Sequence, residues 1–202
     1  LIIFPEYAMK IPVLTVAKYA SLQSRLSPFR GESSSALLFL MSLSIAPLTS
    51  NFSKSSSIAE KGIFFFGSNG VGKTYLSSII LKQAYICRYT CYRITFANYS
   101  DLYTRVWSGR NLDEKTELEE KLYQYKGCEI LVLEEIGKNI DSAISTPILE
   151  DLLRYREDKG LITIICTNMK LDGVKELYGE SVCSLIKGAT VPIKIVGDDF
   201  RG

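Results

Sequence analysis

The chain contains no histidine, and its five cysteines show no C-x-x-C spacing. Both absences argue against a zinc site. Cys87, Cys91, Cys128, Cys166 and Cys183 are odd in number, and Cys128 and Cys166 border apolar runs. That pattern is expected of buried, reduced thiols in a cytoplasmic protein. Charge of one sign is also scarce: the net value is +2 over 202 residues, so no overall field points to a nucleic acid or a membrane. Only a local basic patch remains open. The longest mainly apolar stretch, Ala36–Leu48, has 13 residues and is interrupted by Ser42, Ser44 and Pro47. A bilayer span needs about 20 residues, and the stretch lies too far along for a signal sequence. No membrane partner is expected.

What is present suits one domain with an extension: 47% hydrophobic and 23% charged residues, enough for a buried core. Two helical patterns precede a serine-rich segment. Val13–Leu26 has helical apolar spacing, and Ser34 is placed to cap a second helix through Leu37, Leu40 and Met41 that ends before Pro47. Residues 50–57 (SNFSKSSS) then read as a polar connection. The division expected is an N-terminal extension over 1–57 and a core over 58–202. A start at Leu1 is expected of a piece whose upstream module is missing.

From Gly62 onward, short strand-like runs alternate with helical ones. The runs are Ile63–Phe66, Tyr92–Phe96, Ile130–Leu133, Leu161–Cys166 and Ile193–Val196. The first, third and fourth are almost continuously apolar, as strands covered on both faces of a parallel sheet must be. Arg93 and Lys194 interrupt the other two, which places them nearer the edges. Helices are expected over Thr74–Tyr89, Thr116–Tyr125 and Pro147–Asp158, the last with proline in its first turn. Five strands alternating with helices predict a doubly wound α/β fold with a five-stranded parallel sheet.

One segment carries specific chemistry. Gly67-Ser68-Asn69-Gly70-Val71-Gly72-Lys73-Thr74 matches G-x-x-x-x-G-K-[ST] between a strand-like run and a helical one. Glycines let successive amides turn toward one anion, and the following helix adds its positive end. Lys73 reaches the β- and γ-phosphates, the Thr74 hydroxyl ligates Mg²⁺, and Tyr75 follows at the nucleotide. A chance match occurs in roughly one chain per hundred, and the strand–loop–helix context makes it rarer still.

Two further strand ends join this loop in the reading. Ile130–Leu133 runs into Glu134 and Glu135; in a parallel sheet such ends converge on the ligand. Glu134 is assigned to the metal and Glu135 to the attacking water. Leu161–Cys166 runs into Thr167 and Asn168, whose amide is placed to orient that water. The strand-like run between the phosphate loop and the acidic strand resembles the branch of ATPases with an inserted strand. A guanine-reading N-K-x-D is missing, since Asn168-Met169-Lys170-Leu171-Asp172 has the wrong spacing. ATP is therefore the nucleotide expected.

Together GSNGVGKT, ILVLEEIG, ILEDLLRYREDKGLITIICTN and YGESVCSLIKGATVPIKIVGDDFRG resemble the AAA+ ATPases of the DnaC-type helicase-loader and IstB transposition-helper group, over about residues 60–202. The resemblance implies an AAA+ P-loop core, ATP and Mg²⁺ as cofactors, and a loader that grips single-stranded DNA and a hexameric replicative helicase. By the same likeness Asn168 corresponds to the sensor-1 residue and Arg201 to the sensor-2 arginine. Two departures follow. The family has Asp-Glu or Asp-Asp where this chain has Glu134-Glu135. Its Gly-Glu-Arg-x-x-Ser-Arg-Leu reads here Gly179-Glu180-Ser181-Val182-Cys183-Ser184-Leu185-Ile186, so the trans-acting finger arginine is replaced by Leu185. Such a finger is worth roughly 10³–10⁵ in rate. Slow hydrolysis is expected, or a finger from a partner, with Arg154 and Arg156 as possible substitutes; self-association into a ring or spiral is left open. Residues 98–126 offer Tyr99, Tyr103, Arg105, Trp107 and Arg110 for single-stranded DNA. A transposase helper and a nucleotide-gated regulator with little hydrolysis are the alternatives to a loader.

Overall fold

The computed structural model describes residues 61–86, 88–108, 112–138 and 142–197. The extension 1–57, Cys87, Arg110 and Arg201 lie outside the described residues. Five strands, β1 (Gly62–Phe66), β2 (Cys91–Thr95), β3 (Ile130–Glu134), β4 (Ile162–Thr167) and β5 (Thr190–Lys194), form one sheet of order β2-β3-β4-β1-β5. Every neighbouring pair is parallel. The continuously apolar runs are the three central strands, and the two broken by Arg93 and Lys194 are the edges, as their patterns require. β5 begins three residues earlier than its hydrophobicity suggested, because an edge strand tolerates Pro192 inside it.

The helices are α1 (Lys73–Ile86), α2 (Phe96–Ser108), α3 (Leu112–Gly127), α4 (Ser142–Asp158) and α5 (Leu171–Ala189). Alternation along the strands divides their side chains between two cores. Ile63, Phe65, Val132, Ile164 and Cys166 pack with Ile80 and Ala84 of α1. Phe64, Leu131, Leu133 and Ile165 pack with residues of α2 to α5, among them Phe96, Leu122, Leu149, Leu152 and Ile186. α4 starts earlier than expected and holds Pro147 inside it rather than in the first turn.

Arg156 departs most from its expected place. It is fully buried in α4 rather than exposed. Its Nε donates to Thr163 Oγ1 at 2.9 Å and its Nη2 to the Ile162 carbonyl at 2.7 Å. Its Nη1 donates to the carbonyls of Tyr125, Lys126 and Cys128 at 3.3, 3.0 and 2.9 Å. The last turn of a helix leaves carbonyls without intrahelical donors; here one guanidinium serves those of α3 and joins them to the start of β4. A group so engaged is not a finger for a neighbouring subunit.

Tyr99 is fully buried as well, within the α2–α5 core, so it has no face to offer DNA. Its hydroxyl has no hydrogen-bond partner among the described residues, and burial, then Asp151, pushes its pKa up. An unsatisfied buried hydroxyl costs about 1–3 kcal/mol, and deleting it recovers part of that. Tyr99→Phe is therefore expected to match or exceed the parent in stability, by up to about 1 kcal/mol. Chemical denaturation would check this; a clear loss of stability would reveal a partner for the hydroxyl.

Among the described residues, no helix is long and apolar enough to cross a membrane. The four described cysteines are free thiols: Cys128, Cys166 and Cys183 are buried and Cys91 is half-buried.

Candidate functional site

Strand register brings the site together. Phe66 pairs with Thr167 and with Lys194, Glu134 with Cys166, and Thr95 with Glu134. The carboxyl ends of all five strands are therefore level, and the segments leaving β1, β3 and β4 emerge side by side. β4 lies between β1 and β3, so its tip stands between the glycine-rich loop and the acidic strand end.

The loop leaves β1 at Gly67, turns with positive φ at Gly67 (156°), Gly70 (75°) and Gly72 (94°), and enters α1 at Lys73. At Gly67 the need is also steric: a Cβ would sit 2.2 Å from the Ile195 carbonyl oxygen. That carbonyl belongs to the chain leaving β5, held there because the Ile195 amide donates to the Phe66 carbonyl at 2.8 Å. Val71 is buried, while Ser68 and Asn69 are exposed and Gly70 is half-buried. Lys73 Nζ lies back along the loop, donating to the carbonyls of Gly67 at 2.9 Å and Ser68 at 2.5 Å. The ammonium thus sits inside the curve of the loop, where an anion held by the amides would meet it. Tyr75 points to solvent on the first turn of α1, 42% exposed.

Asn168 and the loop are in direct contact: its Nδ2 donates to Asn69 Oδ1 at 2.7 Å. Thr167 fixes the neighbouring backbone, its hydroxyl donating to the Ile136 carbonyl at 3.0 Å and accepting from the Met169 amide at 3.1 Å.

Alternation puts Glu134, like Ile130 and Val132, on the α1 face. Its Oε1 is buried and has no hydrogen-bond partner among the described residues. Arg93 Nε stands 3.8 Å from it. Arg93 Nη2 donates to the Thr74 carbonyl at 3.2 Å and to the hydroxyls of Ser77 at 3.2 Å and Ser78 at 2.6 Å. Cys166 lines the same face, and burial pushes its thiol up to about 12, so it is a neutral wall. Glu135 turns away from its neighbour: its backbone is left-handed (φ 58°), its amide donates to the Cys166 carbonyl at 2.8 Å, and its carboxylate pairs with Lys138 at 3.1 Å in solvent.

The residues read from the sequence thus gather in two places. The loop, Lys73, Thr74, Glu134 and Asn168 converge, whereas the Glu135 carboxylate faces outward beside them. Arg93 was missed as a site residue, although its position signalled it: it is the one charge in β2 and lies on the side that meets α1.

No protein-family profile matches the chain. Over 119 residues it is 26% identical to the replicative helicase loader DnaI of Bacillus subtilis (strain 168), and over 152 residues 26% identical to the replicative helicase loader DnaC of Buchnera aphidicola subsp. Baizongia pistaciae (strain Bp). These matches cover 58% and 75% of the chain but 36% and 59% of the relatives, so the chain spans less than two thirds of either. Among solved structures, the crystal structure of the DnaC helicase loader superposes with a TM-score of 0.63 at 23% identity, over 82% of this chain and 90% of that one. The crystal structure of DnaI gives 0.59 at 19%, over 85% and 86%. The replication initiator DnaA bound to AMPPCP and single-stranded DNA gives 0.62 at 16%, over 86% and 50%.

The chain has the AAA+ fold of the DnaC-type loaders.

In this DnaC-like chain the segment corresponding to the family's finger lies on α5, which is two helical stretches joined at Gly179 (φ 86°, ψ 175°). That backbone conformation is essentially confined to glycine. Beyond the break, Leu185 is buried against the core rather than presented to a neighbour. Ser181 accepts from Arg154 Nη2 at 2.9 Å, and both bond Glu150. Arg154 is the exposed arginine beside the position where the family has its first arginine.

Proposed function

We propose that the chain is an ATP-binding and ATP-hydrolysing replication factor that delivers a hexameric replicative helicase to single-stranded DNA. The observation that carries the nucleotide site is the meeting of three strand ends: the Lys73-filled loop after β1, Glu134 at the end of β3, and Asn168 bonded to Asn69 from the tip of β4. A cradle of amides with an ammonium inside it suits a triphosphate, as does its place at the start of α1. The solved DnaA neighbour with AMPPCP supports a nucleotide in this fold.

The residues also suit Mg²⁺. Glu134 offers a buried carboxylate oxygen with no hydrogen-bond partner among the described residues, linked through Arg93 to the Thr74 turn. A hydroxyl and a carboxylate are the hard oxygen donors that Mg²⁺ takes beside phosphate. When bound, Mg²⁺ neutralises charge on the β- and γ-phosphate oxygens. Lys73 would bind the phosphate oxygens, Thr74 and Glu134 would hold the metal, Asn168 would orient the attacking water, and Glu135 would accept its proton after leaving Lys138. Tyr75 flanks the nucleotide, and Arg201 serves as the sensor-2 arginine. With Leu185 in the core and Arg156 consumed at the amino end of β4, hydrolysis by the isolated chain is slow.

The helicase as partner rests on the two loader relatives. Contact with single-stranded DNA rests on α2, where Trp107 is 71% exposed, its ring 6.2 Å from that of Tyr103, with Arg105 exposed elsewhere on the same helix. Aromatic rings and a cation on one exposed helix suit stacking with phosphate contact.

The test uses Glu135→Gln. This variant is expected to bind ATP as the parent does, to lose turnover by roughly 10²-fold or more, and to retain a purified hexameric replicative helicase with ATP but not without nucleotide. Unchanged turnover would remove Glu135 from the reaction. Failure to retain the helicase in either condition would leave an ATPase that is not a loader.

A further inference from the structure

We propose that Arg93 is a resident cation of the phosphate site that takes over part of the charge neutralisation otherwise left to Mg²⁺. The inference rests on the nucleotide-site reading above. The guanidinium bridges the two residues proposed to hold the metal, donating to the Thr74 carbonyl and standing 3.8 Å from the Glu134 carboxylate. It is held there by the Ser77 and Ser78 hydroxyls, which also donate to the Thr74 carbonyl at 2.9 and 2.7 Å. One positive charge is thereby fixed at the first turn of α1, on the face that carries Glu134.

The Nη2 hydrogen bonds tie β2 to α1, but they do not account for the charge pair beside them. Arg93 Nε and Glu134 Oε1 are both buried and neither has a hydrogen-bond partner among the described residues. A desolvated pair without a hydrogen bond is often matched or surpassed by apolar side chains of similar volume. The surrounding positions on this face, Val132 and Ile164, are apolar. An apolar residue at 93 would extend that core, whereas the arginine leaves its Nε without a hydrogen bond among the described residues. The arrangement becomes favourable once a polyanion is present, because a fixed cation in a partly desolvated site attracts it strongly. The same charge repels a second cation at Glu134. Arg93 therefore lowers the dependence of nucleotide binding on Mg²⁺, both by holding phosphate when the metal is absent and by opposing the metal when it is present.

The experiment compares the full chain with Arg93→Gln and Arg93→Lys. A fluorescent ribose-labelled ATP analogue is titrated once in excess Mg²⁺ and once in EDTA. The quantity read is the ratio of Kd in EDTA to Kd in Mg²⁺. Arg93→Gln is expected to raise that ratio about tenfold, and Arg93→Lys, which keeps the charge, to restore most of it. An equal loss of affinity in both buffers, with a lowered melting temperature, would mark Arg93 as a mere tie between β2 and α1 and overturn the proposal. A fall in the ratio would overturn it too, showing that Arg93 orients Glu134 for the metal. If the unaltered chain binds the analogue in neither buffer, the nucleotide-site reading itself fails.

Discussion

Replacing Lys73 with alanine is expected to weaken ATP binding by on the order of 100-fold. Two contributions act together. On the proposed reading the ammonium is the charged partner of the phosphates, and hydrogen bonds to charged groups contribute about 1.5–3 kcal/mol, at 1.4 kcal/mol per tenfold in affinity. It also shapes the loop in advance, since Nζ holds the carbonyls of Gly67 and Ser68. Without it those carbonyls face an anion site with nothing between them. Equilibrium titration with a fluorescent nucleotide, alongside thermal denaturation to show that the fold persists, would measure the effect. Intact affinity in Lys73→Ala would remove the loop from consideration as a phosphate site, and Glu134 and Asn168 with it.

The largest effect on stability is expected at Arg156. Truncation to alanine strips donors from four carbonyls and the Thr163 hydroxyl, and it leaves a void where a fully buried side chain stood. Breaking a buried charged network of this kind costs about 3–5 kcal/mol. In a domain of this size that lowers the melting temperature by roughly 10 °C. Arg156→Lys should rescue little, because an ammonium is a single point and cannot present the planar fork that reaches both α3 and β4. Thermal unfolding of both variants is the measurement. A lysine variant as stable as the parent would show that charge, not geometry, matters at this position.

These two residues mark what the sequence could and could not reveal. Lys73 stands in a motif whose spacing encodes its own geometry, so its place at the loop was legible before any coordinates. The three central strands were legible for a similar reason: covered on both faces, they must be apolar throughout, and only their ends carry polar residues. Arg156 was read as a possible substitute for the finger because nothing local indicates that the end of α3 abuts it. A contact between residues about thirty apart in sequence leaves no periodicity to read. α2 was passed over because it follows β2 without an intervening turn, Thr95 ending the strand and Phe96 opening the helix. α5 was hidden by its glycines: Gly173, Gly179 and Gly188 look like breaks, and one of them is. Within the site, Glu134 and Asn168 followed from their place at strand ends. The outward turn of Glu135 did not, since a left-handed backbone at a glutamate cannot be inferred from residue type.

The levelling of the strand ends has a consequence for how this protein tolerates change. Side chains of β3 alternate between two environments, so sliding the strand by one residue against β4 would exchange every one of them. Glu134 would then point into the hydrocarbon layer beneath α4, and Leu133 would occupy the place beside Arg93. Insertion or deletion of a single residue in that strand thus silences the protein without touching any chemical group of the site.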